Sequence, residues 1–276
     1  MKADHRLIAV ALLAALTIIA GCSQQKKEVD PDKPARELYE EAKGALDRGN
    51  YQEAVEKYEQ LESQYPFGPY AEQAQLEVAY AYYKYDEPDA AISAAERFIR
   101  LHPRHEHVDY AYFLKGRASM ERSSSLLDRW FPRDPSQHDQ SILRDAYQAF
   151  SELSRRFPES RYTPVAEDQM LVIRNHMAKH EIRVARYYLK RGAWLAAVQR
   201  AQNVLETYQG APTMPEALEV MIAAYEKLGM EDLAADTRQV LETNYPAGSE
   251  PANEPQPDDQ EAESLLDRVK GFMGVG

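Results

Sequence analysis

Small and apolar residues recur along this chain in a fixed register. An alanine is followed seven residues later by a large apolar residue and twelve residues later by a helix-stopping site, five times over: Ala54, Leu61, Pro66; Ala91, Phe98, Pro103; Ala146, Leu153, Pro158; Ala197, Val204, Gln209; Ala234, Leu241, Pro246. The residue before each stop is aromatic or His: Tyr65, His102, Phe157, Tyr208 and Tyr245. Two turns separate the alanine from its apolar partner, so both lie on one helical face, and proline, lacking an N–H, ends the helix.

A second small position lies twelve residues ahead of the alanine at Ala42, Ala79 and Ala185, with Ile222 beside Ala223 in the last copy and Gly116 taking the place in the third. Between the two small positions stand turn signals: Gly49-Asn50, Asp86-Glu87-Pro88, Gly192 and Gly229. Each unit therefore reads as a helix, a tight turn and an antiparallel helix, the pair crossing closely where both are small. The alanines are 37 residues apart from Ala54 to Ala91 and again from Ala197 to Ala234, near the period of about 34 of tetratricopeptide repeats. The pattern resembles that family without its leading Trp. It predicts an all-α tetratricopeptide-repeat solenoid of five helix-turn-helix units, repeats 34–66, 70–103, 107–158, 162–209 and 213–246, stacked around one core with a concave inner face.

The middle spacings are longer. Repeat 3 carries an insertion over 121–139, with a run of three serines, two prolines and the aromatic pair Trp130-Phe131, which reads as a loop. Val165 to Lys190 holds no Gly or Pro and an apolar residue at nearly every third or fourth position, predicting a long helix leading repeat 4.

The N-terminus changes the picture of where the solenoid works. Lys2 and Arg6 precede an apolar run from Leu7 to Ala20, and then Ile19-Ala20-Gly21-Cys22 resembles a bacterial lipobox. At fourteen residues the run is shorter than the roughly 20 of a membrane-spanning helix and fits a signal peptide over 1–21. Cys22, the only cysteine in the chain, becomes the acylated first residue of the mature protein under this reading. It would carry N-palmitoyl and S-diacylglycerol, with 22–33 as a tether and Ser23 in the +2 place directing the protein to the outer membrane. No other cofactor is expected.

Charge and motifs then remove function classes. The formal net charge is −12, half of it in residues 247–264, which carry six acids and no base. The absence of a basic run argues against nucleic acid, and 247–260 reads as an acidic linker. His176 and His180 have a zinc-protease spacing, but Met177 stands where such enzymes need a glutamate base. With no phosphate loop and no nucleophile elbow either, no catalytic residue, metal site or small-molecule substrate is predicted.

The strings Tyr65-Pro-Phe-Gly-Pro-Tyr70, Tyr80-Ala-Tyr-Tyr-Lys84, Arg97-Phe-Ile-Arg-Leu-His-Pro103 and Arg191-Gly-Ala-Trp194, set on a five-repeat lipoprotein, resemble the BamD family. Its members are lipoprotein subunits of the machine that folds and inserts β-barrel proteins into the outer membrane of Gram-negative bacteria. The resemblance runs from the lipobox to about Tyr245. It implies a non-catalytic scaffold that holds a BamA-type barrel protein by its periplasmic domains, works with accessory lipoproteins, and has an N-terminal groove for the C-terminal signals of unfolded β-barrel substrates. It also assigns Arg200, on the second helix of repeat 4, to docking of the barrel protein.

Repeat geometry places Tyr39 and Lys43, then Tyr80, Tyr83 and Lys84, then Tyr110, Phe113 and Arg117 on the concave wall. Phenols alternate with cations there, matching a peptide that ends in an aromatic residue and a carboxylate. The competing expectation is that most of these tyrosines pack between helices. Residues 261–276 predict a short amphipathic helix with Leu265, Leu266, Val269, Phe272 and Met273 on one face. Such a helix is marginal alone, and is expected to dock on the solenoid's C-terminal end or on an accessory lipoprotein. The alternative function is a periplasmic adaptor for cell-wall synthesis, division or secretin assembly.

Overall fold

In the second helix of every unit, the residue before the stop donates its backbone N–H to the carbonyl of the repeat's apolar anchor. These bonds are Tyr65 to Leu61, His102 to Phe98 and Phe157 to Leu153 at 2.8 Å, Tyr208 to Val204 at 3.0 Å and Tyr245 to Leu241 at 2.8 Å. The computed structural model describes residues 33–122, 140–246 and 258–272. Among them the regular structure is helical and falls into five antiparallel pairs: α1 (Ala35–Asp47) with α2 (Tyr51–Gln64), α3 (Pro69–Lys84) with α4 (Pro88–Leu101), α5 (Val108–Glu121) with α6 (Gln140–Arg156), α7 (Thr163–Lys190) with α8 (Trp194–Thr207), and α9 (Met214–Leu228) with α10 (Glu231–Asn244). A last segment, α11 (Asp259–Leu266), runs into a 3₁₀ turn, Asp267–Gly271. Each helix of the pairs packs on the next in sequence, and α1 also meets α3, α3 meets α5 and α7 meets α9, the stacking of a tetratricopeptide solenoid.

The turns inside units 1, 2, 4 and 5 share one hydrogen-bond pattern. At the end of α1, Gly49 donates to Leu46 at 3.0 Å and Asn50 to Ala45 at 2.9 Å, with Gly49 at φ 75°. This paired closure needs a left-handed residue, supplied cheaply by glycine. Gly192 and Gly229 repeat it, and Asp86 at φ 67° fills the place in unit 2. Prolines sit in the first turns of α3, α4, α7 and α9, where an N–H would go unused.

The alanines of the repeat are buried to 1% exposure or less. Gly116 explains the third unit: a Cβ there would lie 2.4 Å from the Phe150 ring, so only glycine lets α5 and α6 approach with phenylalanine between them. In the fifth unit the buried small residue is Ala224, while Ile222 and Ala223 are half-buried, which corrects the sequence assignment. Leu241 is half-buried too, because among the described residues no further unit stacks on α10.

Two apolar clusters form. One joins α1 to α6, the start of α7 and the C-terminal segment; the other joins the rest of α7 with α8 and α9. The 28-residue α7 serves both, with Val165, Ala166 and Ile173 in the first, Ala178, Ile182 and Ala185 in the second, and Met177 packed against each. The segment 1–21 expected to be a signal peptide, Cys22, residues 123–139 with Trp130 and Phe131, residues 247–257 and Met273 lie outside the described residues.

Candidate functional site

The first helices of units 1 to 3 present their polar inner faces to the C-terminal segment, which lies along them. Asp258 caps α11 by accepting a 2.9 Å bond from the Glu261 N–H, a favourable start for a helix with three acids near its N-terminus. Asp259, Glu263 and Asp267 then follow at four-residue intervals, one carboxylate per turn along one face. Asp259 accepts a 2.8 Å bond from Arg117. Glu263 accepts from the Tyr83 hydroxyl at 2.6 Å and from Lys84 at 3.0 Å, and lies 3.5 Å from Arg117. Asp267 accepts from the Tyr80 hydroxyl.

The apolar side of the segment enters the core of units 1 to 3. Ala262, Leu266 and Val269 are fully buried and Leu265 nearly so. Past the helix, Tyr110 donates to the Leu266 carbonyl at 2.9 Å, Lys43 donates to the Lys270 carbonyl, and the Lys270 ammonium lies 5.7 Å above the Tyr80 ring. Phe272 stacks on His107 at 3.8 Å and meets the edge of Tyr110 at 5.2 Å.

The electrostatics follow from these contacts. Burial pushes the Glu263 carboxyl up, yet the hydrogen bonds from Tyr83 and Lys84 and the charges of Lys84 and Arg117 carry it below its ordinary value. Burial opposes the Arg117 charge, and Tyr83 and Asp259 more than offset that. Buried phenols such as Tyr80 and Tyr83 have raised pKa values, from burial first, with neighbouring carboxylates adding to the rise and Arg117 opposing it at Tyr83, so they stay neutral donors.

Six of the eight wall residues named from sequence, Lys43, Tyr80, Tyr83, Lys84, Tyr110 and Arg117, are thus gathered onto one bound segment. The other two point elsewhere. Tyr39 donates at 3.0 Å to Glu77, a fully buried carboxylate that also accepts from Tyr58 at 2.5 Å and Gln73 at 3.0 Å, with Lys43 at 3.6 Å. Phe113 stacks on Tyr162 at 5.2 Å and packs 6.1 Å from Phe150. Both are interhelical packing. None of the wall tyrosines faces open solvent: Tyr80, Tyr83 and Tyr110 bond to the C-terminal segment, and Tyr39 bonds to Glu77.

That segment docks on the N-terminal units, which corrects the expectation of a site at the solenoid's C-terminal end. No sequence signal marks His107, at the head of α5, as part of this wall; its ring contact with Phe272 places it there. Arg200 sits apart on α8, 46% exposed, pairing at 3.1 Å with Glu181 of α7. The same C-terminal units leave Tyr187, Leu195, Met230, Leu233 and Val240 exposed.

Stacked helical pairs whose inner wall holds a peptide segment define a tetratricopeptide-type binding scaffold. The model of the YfiO outer membrane lipoprotein family matches residues 31–241. The outer membrane protein assembly factor BamD of Neisseria meningitidis serogroup A is 44% identical over 255 residues, covering 92% of this chain and 96% of that protein. BamD of Xylella fastidiosa strain Temecula1 is 41% identical, covering 87% and 82%, and BamD of Vibrio cholerae is 37% identical, covering 84% and 96%. The chain belongs to this family of outer membrane lipoproteins. Among the described residues no helix is long and apolar enough to cross a membrane.

Proposed function

We propose that this chain is a non-catalytic scaffold subunit of the outer membrane protein assembly machinery. The observation that carries the reading is identity of 37–44% over more than four fifths of the chain to proteins named as assembly factors. Lipid on Cys22 holds it at the membrane, the C-terminal units dock a BamA-type barrel protein, and the groove of units 1 to 3 accepts C-terminal segments of unfolded β-barrel proteins. The groove reading is supported by a wall of neutral phenols interleaved with Lys43, Lys84 and Arg117, chemistry suited to aromatic and carboxylate groups.

Docking through the C-terminal units is supported by the exposed Arg200 and by apolar side chains left uncovered on α7, α8 and α10. Arg200→Glu sets like charges side by side with Glu181, but the Arg200 side chain is 46% exposed and its replacement can turn to solvent, so the helices are expected to remain folded. In mild detergent, the tagged wild-type lipoprotein should co-purify with an outer membrane barrel that carries periplasmic domains. The variant should lose at least tenfold of it at unchanged helix content by circular dichroism. Recovery of no such barrel with the wild type would overturn the assembly reading, and equal recovery with both proteins would overturn the role of Arg200.

A further inference from the structure

The groove already holds a ligand of defined chemistry, and that ligand belongs to the chain itself. Three carboxylates at four-residue spacing meet Arg117, then Tyr83 and Lys84, then Tyr80, while Leu266 and Val269 fill the apolar floor and Phe272 lies against His107 and Tyr110. We propose that residues 258–272 are a displaceable plug: the groove is selective for an acidic amphipathic helix with a trailing aromatic residue, and a partner segment enters only as the plug leaves. For the incoming segment, the inference rests on the proposed role of the groove in substrate recognition.

Three features of the contact favour a replaceable plug over a permanent part of the solenoid. First, the segment stands outside the repeat register and is joined to unit 5 through residues 247–257, so it is not one of the stacked helices. Second, the ionic part of its hold is open to competition: Lys84 and Arg117 meet carboxylates whose side chains remain 36% and 64% exposed, within reach of water and of a competing anion. Third, eight residues of α-helix are too few to persist unaided, so the segment folds on its site and unfolds on leaving it.

A short covalent connection places a segment at an effective concentration on the order of 1 mM at its site. A plug with an intrinsic dissociation constant of about 0.1 mM would then fill the groove about nine tenths of the time and weaken a competing ligand about tenfold. Entry is thereby biased toward ligands richer in contacts than the plug, with no change in the solenoid.

The test uses the full mature chain without its lipid. A variant, Asp259→Lys with Glu263→Lys and Asp267→Lys, sets like charges against Lys84 and Arg117 and should release the segment, read as loss of hydrogen-exchange protection in 258–272 at unchanged helix content in 34–246. A fluorescent peptide of the native sequence 258–272 should bind this variant about tenfold more tightly than it binds the wild type. Adding Arg117→Glu to the variant should abolish that binding. Retained protection of 258–272 in the charge-reversed chain, or equal probe affinity for wild type and variant, overturns the plug.

A second probe, the C-terminal peptide of an outer membrane β-barrel protein ending in Phe, separates this inference from the substrate reading. Binding of both probes to the variant, each competing with the other, supports both. Binding of the chain's own peptide alone supports the plug and its acidic-helix selectivity while removing the barrel-signal role.

Discussion

Glu77 on α3 and Glu263 on α11 are carboxylates whose surroundings drive them in opposite directions. Glu77 is fully buried, and burial pushes its carboxyl up despite Lys43 and hydrogen bonds from Tyr58, Gln73 and Tyr39. It serves as a shared acceptor that positions two tyrosines. Glu263 sits at the rim, where burial is outweighed by Tyr83, Lys84 and Arg117, and its carboxyl falls below the ordinary value. A carboxylate whose pKa is lowered on docking contributes fully above its free pKa, about 4.3, and its contribution is lost as pH falls through the lowered docked value. Carbon-13 titration of Glu263 should therefore give a lower midpoint in the intact chain than in the isolated 258–272 peptide. Docking should weaken as the pH drops below about 4.3. Equal midpoints would remove the ionic account of the contact.

At the scale of the element, the helices are specified by local grammar. The recurring alanine lets a helical pair close, the anchor two turns on receives the final N–H, and the next residue, a proline in four units of five, cannot extend the helix. Where a unit departs from the rule the geometry compensates, as at Gly116, whose missing side chain makes room for Phe150. Gly116→Ala is expected to push that ring off its site and lower stability by about 1–3 kcal/mol through overpacking. A denaturant midpoint equal to wild type would mean that the α5–α6 contact gives way at no cost. Asp86 illustrates the limit of the grammar: its sequence signals a turn, while its left-handed conformation follows from the paired hydrogen bonds that close α3.

Across the whole molecule, α7 ties the two apolar clusters together, since its first half belongs to units 1 to 3 and its second half to units 4 and 5. Proline at Met177, midway along it, would remove a hydrogen bond and clash with the preceding turn, a loss of about 3 kcal/mol or more. Because neighbouring units stabilise one another mainly at their shared surfaces, Met177→Pro should lower hydrogen-exchange protection in α8 to α10 well before it does so in α1 to α4. Uniform loss in both halves would mean that the clusters unfold as one. Under the proposed function the division also separates tasks, with the C-terminal segment held by the first cluster and Arg200 on a helix of the second.

The amino-acid sequence by itself determined the repeat, the number of units, the long helix and six of the wall positions. These depend on spacings within a single helix or between adjacent helices, and such spacings survive in one dimension. The tertiary structure decided what fills the wall, that Tyr39 and Phe113 turn into the core, and that Ala224 is the small residue of the last unit. Those outcomes depend on contacts between residues as far apart as Tyr80 and Asp267 or Lys43 and Lys270. The amphipathic stripe of residues 259–272 records that the segment must bury a face. Only the folded chain places its three carboxylates against Arg117, Lys84 and Tyr80, because no local preference carries a helix from one end of a solenoid to a wall built by the other.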